Sequence, residues 1–278
     1  MPVSLLSLWH AWSARWPGLC QVCARWPSEP VCQACVQRFC LPQPRCQGCA
    51  RLTGVHQPWC DECLADQTPR GLTHCAVAVD YAYPWNQLVA RLKFRGEPAW
   101  AHSMARLLLD QPEVRTLLAE ADLIVPVPLT TRRLAERGYN QAWQIARSLR
   151  RLGRQRGLAV PRPAAQALVR HGSTPDQHTL TREERWQNLC EAFHVHPVHG
   201  RDVHGQRIVL VDDVITTGAT LQMAALALRK AGALDVDGVV FARTADPGST
   251  VAPLQQTPDR TPRHLRDMVH EAPETPKR

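Results

Sequence analysis

Four C-x-x-C pairs follow one another near the start of this 278-residue chain. Each pair can turn two thiolates towards one ion, and two pairs complete a tetrahedral Zn²⁺ site. A disulfide framework would need an oxidising compartment, and a thioredoxin-type redox site would use one pair rather than four. The spacing therefore predicts two structural zinc sites, whose ligands are Cys20, Cys23, Cys32, Cys35, Cys46, Cys49, Cys60 and Cys63.

The grouping of these eight cysteines stays open at the level of sequence. A sequential grouping places the first four on one ion and the last four on the other, whereas an interleaved grouping mixes the two halves. In either arrangement, four thiolates leave no coordination position for water or substrate. Metal binding would then supply the folding free energy for a segment that contains few apolar residues.

The rest of the chain has a different organisation. Short Val-rich runs at 76–81, 123–127, 207–211 and 236–241 predict strands, and the patterns at 98–118, 130–152 and 219–231 predict helices. Strands that alternate with helices are typical of an α/β fold, a parallel sheet with helices on both faces. We expect four regions: an N-terminal amphipathic helix (1–17), a double zinc ribbon (18–72), the α/β domain (73–245) and a disordered tail (246–278).

Membrane and export signals are missing from the sequence. No stretch approaches the ~18 uninterrupted apolar residues that a membrane span requires. The first residues lack the positively charged region and the small-residue cleavage site of a signal peptide. We therefore expect a cytoplasmic protein without a membrane span.

The most specific chemistry lies in the run from Ile208 to Leu221. Its first four residues predict a buried strand, and Asp212 and Asp213 are expected where that strand ends. Ligands of open α/β sheets bind at the carboxyl ends of strands, and a following helix N-terminus offers free N–H groups to an anion. Two carboxylates suit a sugar diol, so the run fits a ribose 5-phosphate. The expected phosphate loop is Thr216, Thr217, Gly218, Ala219 and Thr220.

Two other interpretations of this run explain less of it. An apolar strand that ends in two aspartates also resembles the second motif of P-loop ATPases. Those proteins require a glycine-rich loop ending in Gly-Lys, and none of the three lysines here follows a glycine. A structural helix cap would explain one threonine or aspartate but not the whole run.

Several further motifs accompany the acidic run. They are Val125-Pro-Val-Pro-Leu129, Arg137-Gly-Tyr-Asn-Gln141, Ala242-Arg-Thr244 and the stretch from Tyr83 to Gly96. With the cysteine-rich front, they resemble the ComF family of competence and GntX-like proteins, which carry a type I phosphoribosyltransferase-like domain. The resemblance covers about residues 18–245. One small departure is that Ala24 and Ala50 stand where the family often has glycine after a C-x-x-C pair.

The resemblance implies a type I phosphoribosyltransferase-like sheet and a site for phosphoribosyl pyrophosphate. Asp212 and Asp213 would contact the ribose hydroxyls, directly or through Mg²⁺, and residues 216–220 would hold the 5-phosphate. Arg132 and Arg133 would neutralise the pyrophosphate. The segment from Leu168 to Asn188 would form a mobile hood that closes over the site.

Basic residues are concentrated in one segment. Thr131 to Arg170 contains ten arginines and the single acid Glu136. A helix from Thr131 to Arg156 would place Leu134 inside and most arginines outside, where they would either attract nucleic-acid phosphates or form a solvated face. The resemblance favours single-stranded DNA. The predicted nucleic-acid contacts are Arg147, Arg150, Arg151 and Arg154.

Three functions follow from these patterns. The leading hypothesis is a DNA-uptake protein that binds phosphoribosyl pyrophosphate and handles internalised single strands in natural transformation or DNA utilisation. The second is a conventional phosphoribosyltransferase that acts on a base or another small acceptor. The third is a non-catalytic adaptor, whose zinc ribbons recruit a DNA-uptake helicase or channel protein while the ligand regulates it. No residue pattern identifies an acceptor pocket, so catalysis is left open.

Overall fold

The computed structural model describes residues 18–54, 57–65, 71–170 and 192–245. The predicted helix at 1–17 and the predicted tail at 246–278 lie outside the described residues. The same is true of most of the predicted hood, from residue 171 onward. In the described part, none of the helices has the length and apolarity that a membrane crossing requires.

The described chain forms a small cysteine-rich module followed by an α/β domain. The helices of the module are α1 (Gln33–Phe39) and α2 (Asp61–Ala65). The helices of the domain are α3 (Trp85–Phe94), α4 (Trp100–Asp110), α5 (Pro112–Glu120), α6 (Thr131–Arg137), α7 (Gln141–Gln155) and α8 (Ala219–Lys230). Its strands are β1 (Cys75–Asp80), β2 (Leu123–Pro126), β3 (Arg162–Pro163), β4 (Leu168–Arg170), β5 (Phe193–Val195), β6 (Arg207–Ile215) and β7 (Asp235–Arg243).

Five of these strands build one sheet in the order β1-β7-β6-β2-β3, and every pair in it is parallel. The remaining two, β4 and β5, form a separate antiparallel ribbon. Helices α3, α4, α5 and α7 cover one face of the sheet, with Leu92, Leu108 and Leu149 in that core cluster. Helix α8 covers the other face through Leu221 and Leu228. The predicted α/β class, with a parallel sheet and helices on both faces, is confirmed.

The prediction of one helix at 98–118 is wrong. The structure divides it into α4 and α5, because Gln111 is extended and Pro112 begins a new helix. Proline has no N–H and disfavours the helical conformation in the residue before it, so it suits the first position of a helix rather than the interior.

The prediction of one helix over 131–156 is also wrong. Gly138 adopts a left-handed φ of 75° and ends α6, and the Asn140 side chain then accepts a hydrogen bond from the Trp143 N–H as the cap of α7. Because α6 turns away from α7, Leu134 is 44% exposed instead of inside. The arginine-rich segment is therefore divided between two helices.

Polar contacts hold the cysteine-rich module on the domain. The Trp85 indole N–H donates to the Phe39 carbonyl at 2.6 Å, and the Arg45 guanidinium lies 2.7 Å from the Asp80 carboxylate. In the second half of the module, the Arg243 guanidinium donates to the Cys49 carbonyl at 2.8 Å. Both halves of the module thus contact the α/β domain.

Candidate functional site

The eight predicted metal ligands form two clusters. Cys20, Cys23, Cys32 and Cys35 make one cluster, and Cys46, Cys49, Cys60 and Cys63 make the other. Within each cluster the four sulfur atoms lie within 4.8 Å of one another. The structure therefore selects the sequential grouping that the spacing alone left open.

The distances between the sulfur atoms suit zinc. The Sγ atoms of Cys20 and Cys35 are 3.8 Å apart, and those of Cys49 and Cys60 are 3.7 Å apart. A tetrahedral ion with Zn–S bonds of about 2.3 Å requires sulfur separations of about 3.8 Å. Both clusters fit structural Zn²⁺, and four thiolates would close each coordination sphere.

The turns around the clusters explain the preference for glycine at two positions that alanine occupies in this chain. Ala24 and Ala50 follow the first C-x-x-C pair of each cluster, and their φ angles are 58° and 60°. Their N–H groups donate to the carbonyls of Cys20 and Cys46, each at 2.8 Å. These positions lie in the left-handed region, where an L side chain is strained and glycine is not.

Hydrogen bonds favour the ionised form of one cluster thiol. The pKa of Cys46 is lowered to about 4 because the Cys49 thiol donates to its sulfur and neighbouring backbone N–H groups face it, although burial works in the opposite direction. A thiolate is the form that binds metal. Outside the clusters, burial raises the pKa of Cys40 to about 11 and that of Cys75 to about 12, as expected of inert thiols.

The predicted acidic residues do not follow β6 but lie within it. The strand continues to Ile215, four residues beyond its predicted end. Its pairing with β2 stops where Pro126 faces Val211, whereas its pairing with β7 continues to the end. From Asp212 onward, one edge of β6 therefore has no paired strand in the described part of the chain, at the carboxyl end of the sheet.

The loop after β6 has the conformation of an anion cradle. Thr216 and Thr217 are exposed, and Gly218 adopts a φ of 86° as the N-cap of α8. The Ala219 N–H donates to Thr217 Oγ1 at 3.3 Å, and Ala219 and Thr220 are partly exposed in the first turn. Free N–H groups at a helix N-terminus favour bound anions. The structure thus places the five predicted loop residues together, beside the open edge of β6.

The two aspartates have different surroundings. Asp213 is 5% exposed, and its Oδ1 atom lies 3.0 Å from the Lys93 ammonium on α3. Its Oδ2 atom is buried and has no hydrogen-bond partner in the described part of the chain. Because an unpaired buried oxygen is costly, this atom is suited to accept a hydrogen bond from a ligand hydroxyl.

Asp212 is partly exposed and accepts a hydrogen bond from the Asp213 N–H at 2.8 Å. Desolvation by the surrounding protein raises the pKa of Asp212 to about 8, and the negative charge of Asp213 adds to this effect. That N–H donor and the Lys93 charge act in the opposite direction. Asp212 therefore titrates near neutral pH, where binding of a cation would favour its ionised form.

The arginines predicted to bind pyrophosphate make no hydrogen bond or ion pair with the two aspartates in the described structure. Arg132 and Arg133 are both exposed in the first turn of α6, and Arg132 pairs with Glu136 at 2.8 Å. The loop before them is anchored beside β6, since the Val127 N–H donates to the Val211 carbonyl at 2.9 Å. Arg133 itself is exposed and forms no ion pair among the described residues.

Sequence reasoning missed two charged residues of this region. Lys93 lies within the stretch from Tyr83 to Gly96 and is one of only three lysines in the chain. Arg170 ends β4, a strand that was not predicted. Burial and the charge of Arg133 lower the pKa of Arg170, whereas the charge of Asp212 raises it. The rarity of lysine was the one signal that pointed to Lys93.

The four predicted nucleic-acid contacts line one groove of 820 Å³ on α7, together with His102 of α4. Arg147, Arg151 and Arg154 are exposed, whereas Arg150 donates to the Val160 carbonyl. The Arg151 guanidinium lies 2.8 Å from His102 Nδ1, and burial together with nearby arginines lowers the pKa of that imidazole. The histidine is therefore neutral at pH 7, and the groove is basic through its arginines.

Comparisons with known proteins agree with this architecture. A family model described as "Phosphoribosyl transferase domain" matches residues 134–270. DNA utilization protein YhgH of Escherichia coli is 33% identical over 236 residues, which span 82% of this chain and 98% of that protein. Competence protein F of Haemophilus influenzae is 36% identical over 161 residues, 56% of this chain and 66% of that protein.

The chain belongs to the ComF family. The predicted membership in this family of phosphoribosyltransferase-fold proteins is thereby confirmed. Among solved structures, orotate phosphoribosyltransferase from Aeropyrum pernix covers 54% of this ComF protein and 62% of its own chain, at 19% identity and a TM-score of 0.32.

Proposed function

We propose that this ComF protein binds phosphoribosyl pyrophosphate with Mg²⁺ at the loop after β6, and that it binds internalised single-stranded DNA along the α7 groove. The observation that carries the first part is the open edge of β6. There a carboxylate with an unpaired buried oxygen lies beside a glycine-capped helix N-terminus. A sugar diol and a phosphate need those two features side by side.

Each side chain has a role in this proposal. Asp213 Oδ2 would accept a hydrogen bond from a ribose hydroxyl, while Lys93 neutralises the other oxygen of the same carboxylate. The loop after β6 would hold the 5-phosphate. Asp212 would take part in holding Mg²⁺, since carboxylate oxygens are the ligands this ion prefers, and the ion would neutralise charge on the pyrophosphate. Arg133 and Arg170 would face the same pyrophosphate.

A cytoplasmic location accords with the cysteine clusters. Eight thiols remain available to zinc in a reducing compartment, whereas an oxidising one converts closely spaced thiols into disulfides. DNA would meet the protein after it has entered the cell.

Thermal unfolding in the presence of phosphoribosyl pyrophosphate and Mg²⁺ tests the ligand site. At a concentration of 100 Kd, the ligand should stabilise the wild type by about 2.7 kcal/mol. Asp212→Asn should lose most of this stabilisation, because the cation loses a ligand. Asp202→Asn is the matched control, since Asp202 is an exposed carboxylate that pairs with Arg162. Equal stabilisation of all three proteins would contradict the site.

Binding of a single-stranded oligonucleotide tests the groove. Arg147→Glu/Arg151→Glu/Arg154→Glu should weaken binding at low salt by at least about tenfold and reduce the salt dependence. The control, Arg25→Glu/Arg201→Glu/Arg207→Glu, makes the same change in net charge at exposed arginines elsewhere. If both triple variants bind DNA alike, only the overall charge matters and the groove proposal fails.

A further inference from the structure

A second cleft lies far from the loop after β6, between the cysteine-rich module and the α/β domain. It encloses 370 Å³. Its floor is the beginning of β1, residues 75–78. One wall is α5, and the other is the chain from Leu41 to Gln47, which connects the two cysteine clusters. None of the functions above uses this cleft.

The floor of the cleft is the outer edge of β1, whose residues 75–78 are between 5% and 8% exposed. β1 is the last strand of its sheet, and in the described part of the chain no strand pairs with its outer side. The Gly238 N–H donates to the His74 carbonyl, so alternate residues from His74 onward face β7. The backbone groups of Cys75 and Val77 therefore face the cleft.

One contact shows that this edge can form a ladder bond. The Cys75 N–H donates to the Gln47 carbonyl at 2.7 Å, in the direction that a neighbouring strand would provide. The next outward residue, Val77, receives no such bond from the described residues. A strand edge with an outward residue left unpaired in this way is a template for an added strand.

The helix wall supplies charge. Glu113, Thr116, Leu117 and Glu120 lie on one face of α5 and line the cleft. Both glutamates are exposed, and neither has an ion-pair partner among the described residues. Arg45 is the cation of the opposite wall, but Asp80 neutralises it at 2.7 Å. The rim is therefore acidic, whereas Leu41 and Leu117 make the interior apolar.

We propose that this cleft binds an extended, basic segment of a partner protein, which adds as a strand to β1. The partner's backbone would pair with Val77. Its alternate side chains would point into the cleft against Leu41 and Leu117, and its Lys or Arg residues would meet Glu113 and Glu120. Main-chain hydrogen bonds supply affinity in this mode of recognition, and side-chain pockets supply specificity.

Selection from a phage-displayed library of linear peptides, about ten residues long, against the full zinc-loaded chain tests the proposal. The enriched peptides should alternate apolar residues and carry Lys or Arg. A selected peptide should also slow hydrogen exchange of the Val77 amide, which binding by side chains alone would not do. Failure to enrich any such peptide would overturn the proposal.

Variants of α5 separate the cleft from the rest of the surface. Thr116→Trp fills the cleft from an exposed position, and Glu113→Lys/Glu120→Lys reverses its charge; each should weaken the selected peptide at least about tenfold. Ala119→Trp is the control, since Ala119 is exposed on the same helix and does not line the cleft. Unchanged affinity in both the cleft-filling and the charge-reversal variant, with their melting temperatures intact, would also overturn it.

Discussion

The cysteine-rich module and the α/β domain are held together by different forces. Between residues 18 and 65, four of the buried side chains are cluster cysteines and the other buried side chains are few and small. The α/β domain instead buries leucine, isoleucine and valine on both faces of its sheet. One chain thus combines a region whose cysteine clusters are built to hold metal with a region stabilised by apolar burial, because a short segment cannot bury enough surface by itself.

Removal of one zinc ligand should have the largest effect. Cys46→Ser breaks the second cluster, and structural zinc contributes roughly 10 kcal/mol or more to the folding of such modules. We expect the zinc content, measured by mass spectrometry, to fall from two ions per chain to one. The amides around the second cluster, from Cys46 to Cys63, should lose their protection from hydrogen exchange, while those of β6 should keep it.

Cys40→Ser is the control for this change. Cys40 lies outside both clusters, and its thiol contacts the Ala78 carbonyl instead. This variant should keep two zinc ions. If Cys46→Ser also kept two, the assignment of the cluster ligands would be wrong.

A core substitution should instead destabilise the α/β domain and leave the zinc content unchanged. Leu108 on α4 is fully buried, so Leu108→Ala should lower the free energy of unfolding of the α/β domain by about 2–5 kcal/mol. Urea denaturation measures this loss, and the zinc content should remain at two ions per chain. Loss of zinc at low urea in this variant would show that the module depends on the domain core.

The pH dependence should come from the site in the α/β domain. Because burial and Asp213 raise the pKa of Asp212 to about 8, the native state keeps a proton that the unfolded chain releases near pH 4. The free energy of unfolding should therefore fall as pH rises towards about 8 and level off above it, by at most about 1.4 kcal/mol per pH unit.

Melting temperatures measured between about pH 6 and about pH 9 report this fall in stability. Zinc stays bound in this range, so its loss does not contribute. Asp212→Asn should show a flatter profile because it removes the titrating group. A wild-type profile as flat as that of the variant would contradict the raised pKa.

The smallest effect concerns a turn of the module. Ala24 is exposed and has a φ of 58°, so Ala24→Gly relieves backbone strain and should stabilise the zinc-bound module by up to about 1 kcal/mol. Competition with a chromophoric chelator measures this as tighter zinc binding. Ala24→Ser keeps the Cβ atom and should give no gain; an equal gain in both variants would exclude strain as the cause.

Much of the architecture followed from local patterns. The parallel sheet was predictable because Val-rich runs alternate with helical ones, and the phosphate loop because its residues are consecutive. The two broken helices were not, although Pro112 and Gly138 are visible in the sequence, because apolar periodicity continued across both breaks. The extra length of β6 was hidden because its pairing with β7 outweighs the low strand preference of two aspartates.

The sequence by itself determined the set of metal ligands and the order of the acidic strand and its loop, since both depend on spacing within a short segment. Only the tertiary structure decided which four cysteines share a cluster, and that Lys93 neutralises Asp213 while Asp212 remains only partly exposed. The cleft beside β1 also exists only in the tertiary structure. These features join residues far apart in the chain, and their positions depend on how the sheet, the helices and the module pack.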